Sequence, residues 1–223
     1  DGNGIGALWN QVSEKHHSED ELGFIRKFGK GIQDAARKAP KDAVSAIRAT
    51  IEDLSPWPLL PLILAGDEVT LLLRADLALP FTRAWLVAFE REAGDFADGL
   101  GIQHPGITAC ASIILTKPNY PFASAYRLGE SLLAHTKKRF RKACQDDEKW
   151  DRRSLIAFHQ VGSSTSSHDY EELLIHELRS AHSAGSKAIR LTMNPYVNAA
   201  TPSAGFASID AIESLAAACR EVA

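Results

Sequence analysis

Two apolar runs separated by a short acidic turn constrain the fold of this 223-residue chain more than any other feature. The runs 62–64 and 69–73 are rich in β-prone residues, and Gly66-Asp67 lies between them. A glycine–acid pair between two such runs is typical of a β-hairpin turn. Because both runs are nearly continuous in apolar residues, we expect strands that are buried on both faces or central in a sheet.

Segments on both sides of this hairpin have the periodicity of helices or strands. A capping box formed by Ser18 and Glu21 begins a helical segment, which Pro40 divides into two pieces. Asp76 and Ser208 are the predicted caps of two later helices. The sequence predicts helices over 19–53 (in two pieces), 76–98, 121–145, 169–184 and 209–222, and strands over 107–116, 154–161 and 188–193.

The order of these elements predicts an α+β fold. Residues 1–6 read as a turn of the kind that follows a strand, so we expect a first strand that precedes residue 1. With that strand, and without one extra helix, the order matches the ferredoxin-like β-α-β-β-α-β core, an antiparallel sheet with helices on one face. We expect this core at 1–150, and a C-terminal α/β extension packed on the same domain at 151–223.

Composition narrows the classes of protein that fit. The chain is 45% hydrophobic and 24% charged with a net charge of −3, which is ordinary for a globular protein and argues against one coated by nucleic acid. Local basic patches leave nucleic-acid binding open. No apolar run reaches the length of about 20 residues of a spanning helix, so we expect no membrane contact. Three cysteines without a C-x-x-C pair favour a reducing, cytoplasmic location.

Two acids at the hairpin turn, Asp67 and Glu68, are the first candidate site. Asp67 alone is ordinary turn chemistry, but the turn has no role for both acids. Charge beside an apolar hairpin is costly unless it is paired, and carboxylate oxygens suit Mg²⁺ or Mn²⁺. Asp1, at the end of the presumed first strand, is a third acid that this sheet would place nearby.

Carboxylates on neighbouring strands suit two-metal chemistry. Two ions about 3.5–4 Å apart can activate a 3′-hydroxyl and stabilise the pyrophosphate that leaves in an in-line displacement. Such a site needs no catalytic histidine.

Several segments resemble a known enzyme family. The segment 64–69, Leu-Ala-Gly-Asp-Glu-Val, resembles the Gly-Gly-Asp-Asp turn of the polymerase–cyclase subunit of type III CRISPR complexes, and also the GGDEF turn of diguanylate cyclases. Residues 1–4, Asp-Gly-Asn-Gly, resemble the D-x-x-G element after their first strand. Three further stretches are similar to stand-alone members of the CRISPR-type palm family: 75–85, 108–113 and 121–130. The resemblance covers residues 1 to about 200.

The resemblance implies a palm-type nucleotidyltransferase that converts ATP, or another NTP, into a cyclic di- or oligonucleotide signal in antiviral defence. It implies Asp1 and Asp67 as ligands of two Mg²⁺ or Mn²⁺ ions, with Glu68 as the third acid. Because a cyclic product with two new bonds calls for two active sites or an intermediate that moves, we expect a homodimer or a larger complex. The chain departs from the family's turn at Ala65 and Glu68. Two alternatives stay open: a silent palm that binds nucleotide or a protein partner, and a diguanylate-cyclase-like enzyme that uses GTP.

Two further groups of residues are candidates for binding the nucleotide. Gly2, Asn3 and Gly4 lead into a helix whose free N–H groups suit a triphosphate, although they also suit a simple turn. Gly66 lies in the acidic turn itself. On the 121–145 helix, the resemblance implies a phosphate-binding lysine, and Lys137, Lys138 and Arg141 are the candidates there. A solvated basic helix end is the alternative for this last group.

Overall fold

The computed structural model of the protein describes a chain with both helices and strands, an α+β fold. It divides into two compact units, Asp1–Ala109 and Cys110–Ala223. The predicted division at residue 150 stays a prediction. The described residues are 1–3, 5–6, 9–10, 21–48, 59–101, 106–147, 152–162, 167–176, 178–180, 189–190, 192 and 194–214.

The first unit starts with a short strand, β1 (Gly2–Asn3). It pairs antiparallel with the first two residues of β4 (Thr108–Leu115), with Gly2 opposite Ala109 and Asn3 opposite Thr108. The prediction of a turn at this place was therefore wrong for Gly2 and Asn3. A strand that precedes residue 1 stays a prediction.

One long helix, α1 (Glu21–Arg48), replaces the predicted pair of helices on either side of Pro40. Its buried side is lined by small residues, including Ala36, Ala39 and Ala43, each no more than 2% exposed. These residues pack α1 against α2 (Ala75–Gly99). The prediction of a break was wrong because packing along the whole helix outweighs the one backbone hydrogen bond that proline removes. Residues 49–53 lie outside the described residues.

The helix predicted over 76–98 is confirmed as α2. The apolar face predicted from its periodicity is buried, from Phe81 to Phe89. The N-cap is Arg74, however, and its side chain makes no capping bond. Asp76 lies in the first turn, where its carboxylate accepts hydrogen bonds from the Arg74 guanidinium. The prediction of Asp76 as the cap was thus wrong by two residues, because an ion pair at the helix start takes the place of the capping bond.

The predicted hairpin is confirmed as β2 (Leu59–Ala65) and β3 (Glu68–Leu73). Its register pairs Ala65 with Glu68 and Leu60 with Leu72. The predicted burial was wrong: the side chains of Leu62, Leu64 and Leu72 are 41%, 36% and 44% exposed. Among the described strands, β2 and β3 pair only with each other.

The second unit contains a βαβ arrangement. The strand β4 pairs from Cys110 onward with β5 (Leu155–Gln160), in parallel, and α3 (Phe122–Asp146) connects them. Leu128 and Leu132 of α3 are fully buried in a cluster with Tyr170 and Leu173 of α4 (Tyr170–His176). The predicted strands over 107–116 and 154–161 and the helix over 121–145 are confirmed.

Predictions near the C-terminus were less accurate. The helix predicted over 169–184 ends as α4 at His176, and a short strand, β6 (Arg179–Ser180), pairs antiparallel with β7 (Ile189–Arg190). The strand β8 (Tyr196–Val197) pairs antiparallel with β5. Ser208 caps the last described helix, 209–214, because its hydroxyl accepts a hydrogen bond from the Asp210 N–H at 3.1 Å, as the sequence predicts.

The main sheet has the strand order β1-β4-β5-β8 and is mixed, not antiparallel. The pairings within the predicted core at 1–150, β1 with β4 and β2 with β3, are antiparallel, and the antiparallel core as a whole stays a prediction. The parallel pair arises because the crossover helix α3 returns the chain to the same end of the sheet, where β5 of the predicted extension joins β4. Among the residues that the structure describes, no helix is both long and apolar enough to cross a membrane.

Candidate active site

The turn between β2 and β3 places Asp67 by backbone geometry. Gly66 has a φ of 59°. Asp67 has a negative φ, because Ala204 is the only described residue other than glycine with a positive one. Glycine in the first of two turn positions is what a type II′ hairpin turn requires. Asp67 is therefore the second of the two turn residues. The pair Ala65–Glu68 on either side of the turn is the first pair of the hairpin.

A hydrogen bond joins this turn to the start of the chain. The backbone N–H of Gly2 donates to Oδ2 of Asp67 at 3.2 Å, across 65 residues of sequence. Gly2 is buried and Asp67 is half-buried. A Cβ at residue 2 would lie 2.8 Å from Ile5 Cγ1 and 3.1 Å from Asp67 Oδ2. A side chain at residue 2 would displace these atoms, so glycine lets β1 lie in close contact with the acidic turn.

The three predicted acids do not share one environment. Asp1 is half-buried and directly precedes the residue that donates to Asp67. Glu68 is exposed as the first residue of β3. In the described part of the chain, no group of three or more His, Cys, Asp or Glu side chains is placed to hold a metal ion. Magnesium sites in nucleotide enzymes commonly use one or two carboxylates together with substrate phosphates, so Asp1 and Asp67 suit that pattern as a donor set.

The glycines and Asn3 have separate roles around the turn. The Asn3 side-chain amide donates to the Thr108 hydroxyl at 3.2 Å, which fixes β1 on β4. Gly66 is exposed, and a Cβ there would meet nothing within 4 Å, so the turn is open to an approaching ligand. Gly4 lies outside the described residues.

The predicted basic residues belong to the second unit, on α3. The Lys138 ammonium lies 3.7 Å from a Glu171 carboxylate oxygen, and its side chain is 75% exposed. Lys137 is half-buried and Arg141 is exposed. The first unit thus joins Gly2, the neighbour of Asp1 in sequence, to Asp67, whereas the three predicted basic residues belong to the second unit.

A buried polar cluster in the second unit was missed by sequence reasoning. His135 of α3 is 9% exposed, and its Nδ1 lies 2.9 Å from Oε1 of Glu171 on α4. The hydrogen bond with His135, and then the charge of His135, hold the pKa of the Glu171 carboxyl below its usual value. The one available signal was position: residues 128, 132 and 135 share a helical face, so His135 falls on an apolar stripe.

Tyr170 is the centre of this cluster. Its ring contacts the rings of His135 and His159 edge-on, at 5.2 Å and 6.1 Å between centroids. Its hydroxyl accepts a hydrogen bond from the Asn194 side chain at 3.0 Å, and that amide also donates to the Phe158 carbonyl at 2.6 Å. The cluster ties α3, α4 and β5 together.

No protein-family model matches the chain, and no curated protein matches it.

Proposed function

We propose that this chain is a palm-type, metal-dependent nucleotidyltransferase that joins ATP molecules into a cyclic di- or oligonucleotide. The observation that carries the proposal is the hydrogen bond from Gly2 to Asp67, which ties the acidic turn to the start of the chain. Asp1 directly precedes Gly2, so this hydrogen bond supports assigning Asp1 and Asp67, which are 66 residues apart in sequence, to one site.

Asp1 and Asp67 would hold the Mg²⁺ or Mn²⁺ ions, with Glu68 as a third, more exposed acid. One oxygen of Asp67 accepts the Gly2 N–H, which leaves its second oxygen to face a cation. Bound ions would favour the ionised 3′-hydroxyl and neutralise charge on the leaving pyrophosphate. The chain itself holds the carboxylate in place, and the exposed Gly66 leaves room for the nucleotide.

The order of the elements in the first unit supports the palm assignment. It runs β1-α1-β2-β3-α2-β4, the order of the ferredoxin-like core. In that core the first and last strands are antiparallel neighbours, as β1 and β4 are here. We therefore propose a ferredoxin-like palm in which the hairpin β2–β3 carries the acidic turn.

A cyclic product that contains two new phosphodiester bonds calls for two active sites or for an intermediate that moves within one site. We accordingly propose a homodimer or a larger complex as the active form. By the family resemblance, the product is a signal in antiviral defence, made in the cytoplasm.

The test is incubation of the chain with each labelled NTP and Mg²⁺ or Mn²⁺, with the products identified by mass spectrometry. Asp67→Asn removes the candidate ligand, and Asp95→Asn, an exposed aspartate on α2, is the matched control. We expect an adenylate product from the wild type and from Asp95→Asn, and about 100-fold less or none from Asp67→Asn. Equal product from the two variants would refute the assignment of Asp67.

One observation favours the silent palm as the second candidate. The residue at the family's second aspartate position is Glu68, and its side chain is exposed at the start of β3. If the wild type binds nucleotide but makes no product with any NTP, the silent palm is the better interpretation. A product from GTP alone would instead favour a diguanylate-cyclase-like enzyme.

A further inference from the structure

A cavity of about 310 Å³ lies between α1 and α2 in the first unit. Its lining residues come from two short stretches, 27–38 of α1 and 92–96 of α2. Its volume falls at the lower end of the range of about 300–1,000 Å³ that is typical of small-molecule sites. The hairpin that carries Asp67 contributes no lining residue.

Three lysines give this cavity its charge. Lys38 is already paired, because its ammonium lies 3.0 Å from the Glu92 carboxylate. Lys27 and Lys30 make no ion pair with any residue that the structure describes. Asp34, the other acid of the lining, is exposed on α1. Lys27 and Lys30 lie one helical turn apart on α1, so two ammonium groups border the cavity on the same side of that helix.

The helix α1 concentrates positive charge in an otherwise acidic protein. It carries seven basic and three acidic residues, whereas the whole chain has a net charge of −3. A local basic stripe of this kind attracts phosphorylated ligands over distances of about a Debye length, roughly 8–10 Å at ordinary salt.

An aromatic ring forms the apolar part of the cavity. Phe96 of α2 is half-buried, and its ring packs on Phe28 at 6.0 Å between centroids. A Cβ at Gly31 would lie 2.1 Å from the Phe96 ring, so only glycine there lets the ring reach the backbone of α1. An aromatic surface beside the ammonium groups of Lys27 and Lys30 is suited to a flat base with a phosphate attached.

We propose that this cavity is a phosphate-binding site for a nucleotide, with Lys27 and Lys30 on the phosphates and the Phe96 ring beside the base. It is separate from the Asp67 site, and it stands whether or not the chain is a nucleotidyltransferase. Because lysine binds phosphate without a metal ion, binding here needs no Mg²⁺.

The experiment is calorimetric titration of the chain with ATP in the presence of EDTA, so that a metal-dependent site does not contribute. The test variant is Lys27→Gln/Lys30→Gln. The matched control is Arg26→Gln/Lys41→Gln, which removes the same charge from exposed positions on α1 outside the cavity lining. We expect about tenfold weaker binding in the test variant and little change in the control. Thermal unfolding of both variants checks that the helices are intact.

Three further ligands identify the group that is recognised. We expect tripolyphosphate to compete with ATP for the site, and adenosine not to bind. We expect Phe96→Leu to weaken the binding of ATP and to leave the binding of tripolyphosphate unchanged. If a single-stranded oligonucleotide competes and depends on Lys27 and Lys30, nucleic acid is the source of the phosphate and the phosphate site still stands. Absence of metal-free binding, or equal binding by test and control variants, overturns the proposal. We expect Asp67→Asn to keep the metal-free binding of ATP. The phosphate-site proposal and the transferase proposal can therefore fail independently of each other.

Discussion

At the scale of single residues, the missing side chain at Gly2 determines how close β1 comes to the acidic turn. The approach is so close that a Cβ at residue 2 would crowd both Ile5 and Asp67. Turn chemistry predicts Asp67 from the sequence, because Gly66-Asp67 between apolar runs is a local signal. For the contact with Gly2, the sequence predicts only that the first strand and the hairpin lie close together. The hydrogen bond itself spans 65 residues, and no local pattern encodes it.

Replacing Gly2 by alanine tests this contact. We expect Gly2→Ala to destabilise the chain by about 1–3 kcal/mol, because the new methyl group overpacks against Ile5 and Asp67. If the proposed function holds, nucleotide turnover falls as the Asp67 carboxylate moves. Urea denaturation and product formation measure the two effects. Gly6→Ala is the control, because a Cβ there meets nothing within 4 Å. Equal stability of the two variants would contradict the close contact.

At the scale of elements, periodicity predicts the helices well and their ends poorly. The face from Phe81 to Phe89 identifies α2, because a 3.6-residue pattern is local. Pro40 gave a wrong boundary, since the penalty of a proline is local but the packing of Ala39 and Ala43 against α2 is not. The buried pair of His135 and Glu171, 36 residues apart, was likewise beyond any local pattern.

The pairing of α3 with α4 through His135 and Glu171 makes stability depend on pH. The pKa of Glu171 is lowered in the folded state. The ionised Glu171 carboxylate therefore adds to the free energy of unfolding at pH values above the ordinary glutamate pKa of about 4.3. That contribution is lost as the pH falls through the lowered value, because the unfolded chain then binds the proton more readily. We expect Glu171→Gln to be less stable than the wild type near pH 6, with a difference that shrinks towards pH 3.

Thermal unfolding across pH 3–6.5 measures this difference. Glu130→Gln, at an exposed position of α3, is the matched control and should keep a nearly constant offset from the wild type. A gap for Glu171→Gln that widens on acidification would contradict the assigned direction of the pKa shift.

At the scale of the whole molecule, the sequence predicts the class of fold but not its strand pairing. The α+β class follows from the order of the elements. Contacts between residues far apart in sequence decide that β4 pairs in parallel with β5. They also decide that β2 and β3, which pair with each other through a local turn, form a sheet apart from the main one. The exposed leucines of the hairpin show the same limit, because apolar character alone does not reveal whether a second layer covers a strand.

The proposed homodimer has a measurable consequence for the whole protein. If ring closure needs two active sites, the rate of cyclic product per chain should rise with protein concentration and level off once dimers form. Sedimentation velocity over the same concentrations would locate the dimer transition. A rate per chain that is constant while the protein stays monomeric would contradict the requirement for a dimer.

The hydrogen bond between Gly2 and Asp67 also sets an order of events during folding. The hairpin closes across two residues, an event that takes about 1–10 μs in isolated hairpins. The bond to Gly2 closes a loop of 65 residues, which bears a larger entropic cost and must wait for α1 to pack. The acidic turn therefore exists before the site does. We therefore expect a refolding chain to form the hairpin before the bond between Gly2 and Asp67, which closes only when the first residues of the chain return to the turn.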